Sequence, residues 1–397
     1  MNRFEVIRGQ GGVPKSLPGE DHISGLMVYL ADADLPTADA GVTGFSVSNR
    51  IIAVSTIETA EKLGIKANSA KWIHKVLHYH LSEAFRVNPG ISLYVGLFKT
   101  PTAAYDFVEI KAMQNFASGR LRQIGVYCGD KALAAAEIIA LQGVATTLES
   151  QDMPLSIIYS PKVADVSSAV DVSAIGRRNV SVIIGQDGDG LGATLFVDAA
   201  NTTAKSAVGI MGIVLGMVSK SSVHESIGWV QKFPAGITTP AFVDGTLLKN
   251  LDKATVESLD TKRFLFLVTY GGFGDSYMND SHTLDVATSD YAFIENERTM
   301  DKAVRGIRSY LLPYLSSPIY VDAKSGKMRA NTVANLKNVA NQALRQMEKA
   351  GEISGYVVDI DPEQVVLTTQ TVEFVVRKVD VGVMRRIKIN IGNTTQI

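Results

Sequence analysis

From residue 386 to 391 the chain alternates without a break. Arg386, Lys388 and Asn390 fall on one side and Ile387, Ile389 and Ile391 on the other, the period of two that marks a half-buried strand. Six residues follow this run, and Gly382 separates it from a preceding strand-like stretch at 371–379, so it is placed to hinge away from the body. The other end has the same design. Phe4, Val6 and Ile7 form a short extended run, followed by a linker with Gly9, Gly11, Gly12, Pro14, Pro18 and Gly19 that packs no core of its own. An unpaired strand edge is a hazard unless a partner covers it, so two tethered strands predict subunits stitched together by strand addition. The alternative is a pair of ordinary edge strands docked on their own sheet.

Between these ends, strands are predicted at 23–30, 51–54, 91–98, 124–128, 155–159 and 180–185, and helices at 69–85, 103–118 and 131–148. In the first helix Trp72, Ile73, Val76, Leu77 and Leu81 share a face, and Asn88, Pro89 and Gly90 stop it. Strands alternating with helices predict an α/β layer. The apolar stretch 207–218 is about 12 residues long and holds Gly209, Gly212 and Gly216; that is too short to cross a bilayer and predicts a buried helix against a close neighbour.

The last third changes character. A continuous apolar strand at 264–270 enters a turn at Gly271, Gly272 and Gly274. A helix follows with Met300, Val304, Ile307, Leu311 and Leu315 on one face and Asp301, Lys302, Arg305 and Arg308 on the other, kinked or ended by Pro313. After a short stretch at 318–321 and a turn near Ser325 and Gly326, a second amphipathic helix turns Val333, Leu336, Ala340, Ala343, Leu344 and Met347 inward, with Gly351 at its end. Strands at 355–360, 365–368 and 371–379 complete a compact α+β unit, from which the terminal strand hangs.

A length of 397 residues predicts two domains or more, and 46% hydrophobic with 20% charged residues describes a soluble, well-packed chain. The net charge of −1 gives no general attraction to nucleic acid or membrane. The charge is uneven, however. From Asp301 onward there are 14 Lys and Arg against 9 Asp and Glu, so the C-terminal quarter is basic and favours a specific acidic partner surface. The single cysteine, Cys128, forbids an internal disulfide and a cysteine-based zinc site; in its strand it reads as a small buried apolar residue. Arg3, Glu5 and Arg8 stand where a secretory signal needs an apolar core, so maturation in the cytosol is expected.

Chemical motifs are weak. His74 and His78 share a helix face, but His80 lies off it and no Glu follows His74, which favours solvated or core-edge histidines over a metal site. Gly188, Gly190 and Ala193 fit G-x-G-x-x-A after a strand, yet the run 193–197 reads as a strand where a dinucleotide loop needs a helix. Asp187, Asp189, Gly192 and Asp198 fall at calcium-loop spacing, but Leu191 takes a position that should carry oxygen. The turn at 271–274, followed by Asp275 and Ser276, lacks the Lys and Ser/Thr of a phosphate-binding loop. No G-x-S-x-G, H-E-x-x-H or Cys/His nucleophile arrangement occurs, so the sequence offers no catalytic machinery and no cofactor or metal is expected.

The order of features resembles the sheath protein of contractile tails, as in Mu-like phages, pyocin-type particles and related injection systems. The matching pieces are 11–29 (GGVPKSLPGEDHISGLMVY), 180–186 (VSVIIGQ), the apolar helix running into Ser226, Ile227, Gly228 and Trp229, the glycine turn at 270–280, and the helix pair leading to Gly351, Ile353, Gly355 and Tyr356. Together they span most of the chain. The resemblance implies a non-enzymatic structural subunit with an α/β and α+β two-domain fold. Such subunits form six-membered rings stacked helically around an inner tube, with N- and C-terminal strand arms pairing with neighbours. On this chain it implies an N-terminal arm and linker at 1–20, an outer α/β part at 21–260, an inner part at 261–380 that contacts the tube, and a C-terminal arm at 381–397. The linking residues would be Phe4, Val6 and Ile7, and Arg386, Ile387, Lys388, Ile389 and Ile391, with Gly382 as hinge.

Lys302, Arg305, Arg308, Lys337 and Arg345 would face an acidic tube, where exposed charges hold a register and still let go. The implied partners are further copies of the chain, the inner tail tube protein, and baseplate and tail terminator proteins, without nucleic acid and without membrane insertion of the subunit. Assembly in the bacterial cytoplasm would lead to a phage or phage-like tail. The extended sheath would be metastable and contract by rotating subunits into a form that buries more intersubunit surface. Two rival readings stand beside this one: a nucleotide-dependent α/β enzyme using the loop at 188–192, and another strand-exchanging assembly protein such as a tube or fibre subunit.

Overall fold

The computed structural model describes residues 19–393. Its centre is a six-stranded sheet in the order β2-β3-β1-β4-β5-β6, formed by β1 (Ile23–Leu30), β2 (Ile51–Val54), β3 (Ser92–Lys99), β4 (Gln123–Ala132), β5 (Ser156–Lys162) and β6 (Val180–Val182). All neighbours run parallel except β2, which is antiparallel to β3. Every residue of β1 is buried. Leu26, Val28 and Leu30 point into one core and Ile23, Met27 and Tyr29 into the other, so both faces of this strand are covered.

Helices cover both faces. α1 (Ile57–Lys62), α2 (Trp72–Val87) and, later, α6 (Met211–Lys220) serve the first core, while α3 (Glu109–Phe116) and α4 (Ala135–Ser150) serve the second. α6 is buried along its length apart from Lys220, as its apolar run and glycines predict. A Cβ on Gly212 would lie 2.0 Å from the His80 carbonyl oxygen, and one on Gly216 would lie 2.7 Å from the Val87 Cβ. These two glycines let α6 lie directly on the backbone of α2.

Two predicted elements differ in kind. The run 193–197 lies in and just beyond a short helix, α5 (Leu191–Phe196), which follows β7 (Gly185–Asp187). A short apolar run carries no period long enough to tell helix from strand. Likewise 365–368 falls in a single helical turn, α10 (Val366–Thr369), closed by Gln370 in the left-handed conformation. The helix expected at 103–118 is shorter, because Phe107 has φ 56° and the helical turns begin at Glu109.

The segment after residue 260 packs against the central sheet. β8 (Pro240–Phe242) pairs with β7, and α7 (Lys253–Thr261) leads into β9 (Leu267–Thr269) and β10 (Ser276–Met278). The Leu265 amide donates to Val182 at 2.8 Å and the Leu284 amide to Val180 at 2.8 Å, so this segment extends the central sheet. Phe264, Phe266, Leu284 and Ile294 lie in the two large cores. Packing changes hands at α8 (Ile294–Leu311), whose first residue joins the large core while Ala303 joins a smaller one.

Beyond α8 a short 3-10 turn at Leu312–Tyr314 contains Pro313, which ends the helix. α9 (Ala330–Lys349) follows, then β11 (Ile353–Asp359) and β12 (Val375–Asp380), an antiparallel pair lying on α8 and α9 around Ala340, Leu344, Met347 and Val358. No helix among the described residues is long and apolar enough to cross a membrane.

α8 is unusual in burying charge. The Asn179 side-chain amide donates to Glu297 at 2.7 Å, while the other carboxylate oxygen of Glu297 has no partner among the described residues. Burial first, and then the nearby Asp301 carboxylate, push Glu297 from its ordinary 4.5 up to about 8. Between those two values the folded chain holds a proton that the unfolded chain has lost, so stability falls as pH rises. Glu297→Gln keeps the shape and removes the titration. The melting temperature of the variant is expected to fall less than wild type between pH 5 and 8, ending higher at pH 8. Parallel curves would show that this carboxyl does not govern the pH dependence.

Candidate assembly interface

The site begins with the pairing of β11 and β12. Tyr356, Val358 and Val376 face α8 and α9, whereas Val357, Val375 and Val379 are exposed on the opposite face. Neither strand has a second neighbour, and among the described residues no backbone bond reaches the outer edge of either. A lone pair of strands is marginal in water without a further layer or strand. This one has its layer on one face and two open edges.

From residue 381 to residue 393 the chain forms no helix, strand or turn. Ile387, Ile389 and Ile391 are 68%, 73% and 89% exposed, and Arg386 and Lys388 are exposed beside them. The alternation read from the sequence is therefore present without a buried face among the described residues, and there no backbone bond ties 386–391 to a sheet. Phe4, Val6 and Ile7 lie outside the described residues.

One side chain fixes the root of this arm. Arg385 Nε donates to both carboxylate oxygens of Asp280 at 3.0 Å, and its Nη2 donates to Ser281 Oγ at 3.3 Å and to Glu295. The guanidinium carbon lies 3.4 Å from the centroid of the Phe293 ring. Gly382 sits between this attachment and Asp380 at the end of β12, with nothing within 4 Å of a Cβ built on it. Sequence reasoning missed Arg385 because its partners are 90 and 105 residues away.

The basic residues divide into two sets. Lys302 Nζ pairs with Asp21 at 2.7 Å and also with Glu352, and Arg305 pairs with Asp21 at 3.2 Å, so these two charges are engaged inside the chain. Burial lowers Arg305 to about 10. Arg308 pairs with Asp152 at 2.8 Å and Lys337 with Asp359 at 3.3 Å, both at the surface. Arg345 is exposed and makes no ion pair among the described residues.

The other motifs resolve locally. Asp187 fills the glycine loop, accepting from the amides of Asp189, Gly190 and Gly192 at 3.2, 2.9 and 3.0 Å. A carboxylate thus occupies the concavity in which a phosphate would sit. His74 contacts Ser69 and the Asp34 carbonyl, His78 contacts Glu61, and His80 is buried against Tyr127, so the three rings have separate partners.

The sequence matches the family models described as DUF2586, N-terminal domain, over residues 37–282 and DUF2586, C-terminal domain, over residues 290–397. The chain belongs to the DUF2586 family. Among curated relatives, this DUF2586 protein is 30% identical over 152 residues to a "Putative tail sheath protein" of Haemophilus phage HP1 (strain HP1c1). That alignment covers 36% of this chain and 38% of the relative. Likeness to solved structures covers nearly everything. A chain in the cryo-EM structure of the anti-feeding prophage baseplate, 6-fold symmetrised, matches with a TM-score of 0.61 at 13% identity over 100% of both chains. The contracted PVC sheath complex of an extracellular contractile injection system gives 0.56 at 10% identity over 99% of both. The sheath tail protein of Desulfitobacterium hafniense gives 0.52 at 10% identity, covering 95% of this chain and 100% of that one. The DUF2586 chain has the mixed α/β fold of a sheath-type subunit.

Proposed function

We propose that this DUF2586 protein is a structural subunit of a contractile tail sheath. It forms six-membered rings stacked around an inner tube, and contraction drives the tube through a target envelope. The observation that carries the reading is an exposed, alternating, unpaired run at 386–391 in a chain whose β11–β12 sheet has both edges open. A strand from one copy fits the open edge of another, with main-chain bonds giving affinity and the isoleucine row giving register. Bending is assigned to the chain just beyond the point where Arg385 is tied to Asp280 and Glu295, since Gly382, expected as the hinge, lies between that tie and the end of β12. Baseplate, terminator and tube proteins are the expected partners, and assembly takes place in the bacterial cytoplasm. Electron microscopy of the purified protein tests the reading: hollow tubes or cogwheel-like rings are expected, and a protein that stays dispersed at high concentration with tube protein present contradicts it.

The basic surface that remains for the tube is Arg308, Lys337 and Arg345. Reversing these three charges is expected to reduce co-sedimentation with tube protein at least several-fold and to leave self-assembly of sheath intact. Reversing Lys302 or Arg305 is expected instead to lower the melting temperature of the monomer, since a charge paired inside the chain would be left opposed by Asp21. Equal loss in both assembly assays after the triple reversal would place the three residues between sheath copies.

A further inference from the structure

We infer that one face of α8 holds the feet of both arms, through Arg385 on the C-terminal side and Asp21 on the N-terminal side, so that tension between the arms runs along this helix. The inference rests on the sheath reading for its purpose but on geometry for its existence. Glu295, Arg298, Lys302 and Arg305 recur at steps of three, four and three residues, which puts them on one stripe of the helix. Glu295, only 4% exposed at its side chain, takes the Arg385 guanidinium together with Asp280 and Phe293. Ten residues further along, Arg305 pairs with Asp21, as does Lys302 on the turn before. Arg298 donates to the Asp21 carbonyl oxygen at 3.4 Å, and Gln123 donates to the same oxygen at 3.1 Å. Asp21 stands immediately after the N-terminal linker and two residues before β1. The two attachments are thus about 10–15 Å apart along a single rigid rod.

The attachments are of a kind that resists pulling. A guanidinium that forks onto two carboxylates and stacks on a ring is held in both distance and orientation. Met384 and Ile387 near it are exposed, so among the described residues beyond Val383, Arg385 is the point of fixation. Without it, a pull on the arm would reach Asp380 and open β12 from its end, one pair of bonds at a time. With it, the pull passes through Glu295 into α8 and leaves at Asp21. At that foot burial opposes ionisation, but the charges of Lys302, Arg298 and Arg305 outweigh it and keep the carboxyl below its ordinary range.

Hydrogen exchange on the full-length monomer and electron microscopy of assembled tubes test this together. Arg385→Ala is expected to raise exchange of the β12 amides about tenfold and to leave residues 22–24 unchanged. Asp21→Ala is expected to do the reverse. In tubes, either substitution alone breaks the path, so both variants should assemble and then fragment when contraction is triggered. Arg385→Lys, which keeps the charge and loses the fork, should be intermediate and serves if the alanine variant folds poorly. Unchanged β12 exchange in Arg385→Ala, or contraction of both single variants without breakage, overturns the inference. Failure of the wild-type chain to form tubes speaks instead against the sheath reading, and the exchange result still decides whether the two feet are held.

Discussion

A chain ending at Arg385 folds as a soluble monomer and forms no tubes. Residues 386–393 have exposed side chains and, among the described residues, no backbone bond to a sheet, so their removal takes little from the folded state. Losses at such unpacked surface positions usually stay within about 0.5 kcal/mol. The same residues carry the isoleucine row and the free backbone edge that a neighbour would use, so assembly loses its link altogether. Arg385 itself is retained, which keeps its contacts to Asp280 and Glu295 and confines the change to the donated strand. Thermal melting and electron microscopy read the two effects separately. Normal tubes from the truncated chain would show that the strand is not donated, and an unfolded monomer would show that it docks on its own sheet.

Gly212→Ala is expected to be among the most damaging single substitutions in the chain. The added Cβ would meet the oxygen, carbon and Cα of His80, at 2.0, 2.7 and 2.7 Å. These are backbone atoms of a buried helix, which no rotamer change moves aside. α2 and α6 would have to separate, and both line the core on one face of the central sheet. Overpacking of a filled core costs about 1–3 kcal/mol where side chains can give way, and here the cost should exceed 3 kcal/mol. Denaturant unfolding measures it. Gly382→Ala supplies the contrast, since open space surrounds that position and its stability should match wild type. A Gly212→Ala variant with wild-type stability would contradict the close approach of the two helices.

The parts of the fold that the sequence made legible are those whose signal is periodic and local. The buried β1, the one-sided α2 and α9, and the close-packed α6 with its glycines follow from spacing alone. The alternation at 386–391 was visible for the same reason, since six alternating residues need no partner to be read. What stayed hidden depends on segments far apart in the chain. The amphipathic pattern of α8 shows which side avoids the core, but not that Asp21, 281 residues before Lys302, covers it. Hence Lys302 and Arg305 read as a free basic face when they are paired within the chain. The packing of the segment after residue 260 was hidden similarly, because Leu265 and Leu284 bond to β6 across about 80–100 residues of chain. Arg385 gave no sign of its role beyond adjacency to the alternating run.

Where residues 386–391 go in the assembled state decides whether the strand is donated. Cryo-electron microscopy of tubes grown from the full-length chain, at a resolution that follows the backbone, answers this. The account predicts a strand hydrogen-bonded to the open edge of β11 or β12 of a neighbouring copy, with Ile387, Ile389 and Ile391 in contact with that copy and Arg385 still on Asp280 and Glu295 of its own. An arm folded back onto its own chain, or left exposed in well-formed tubes, would contradict it.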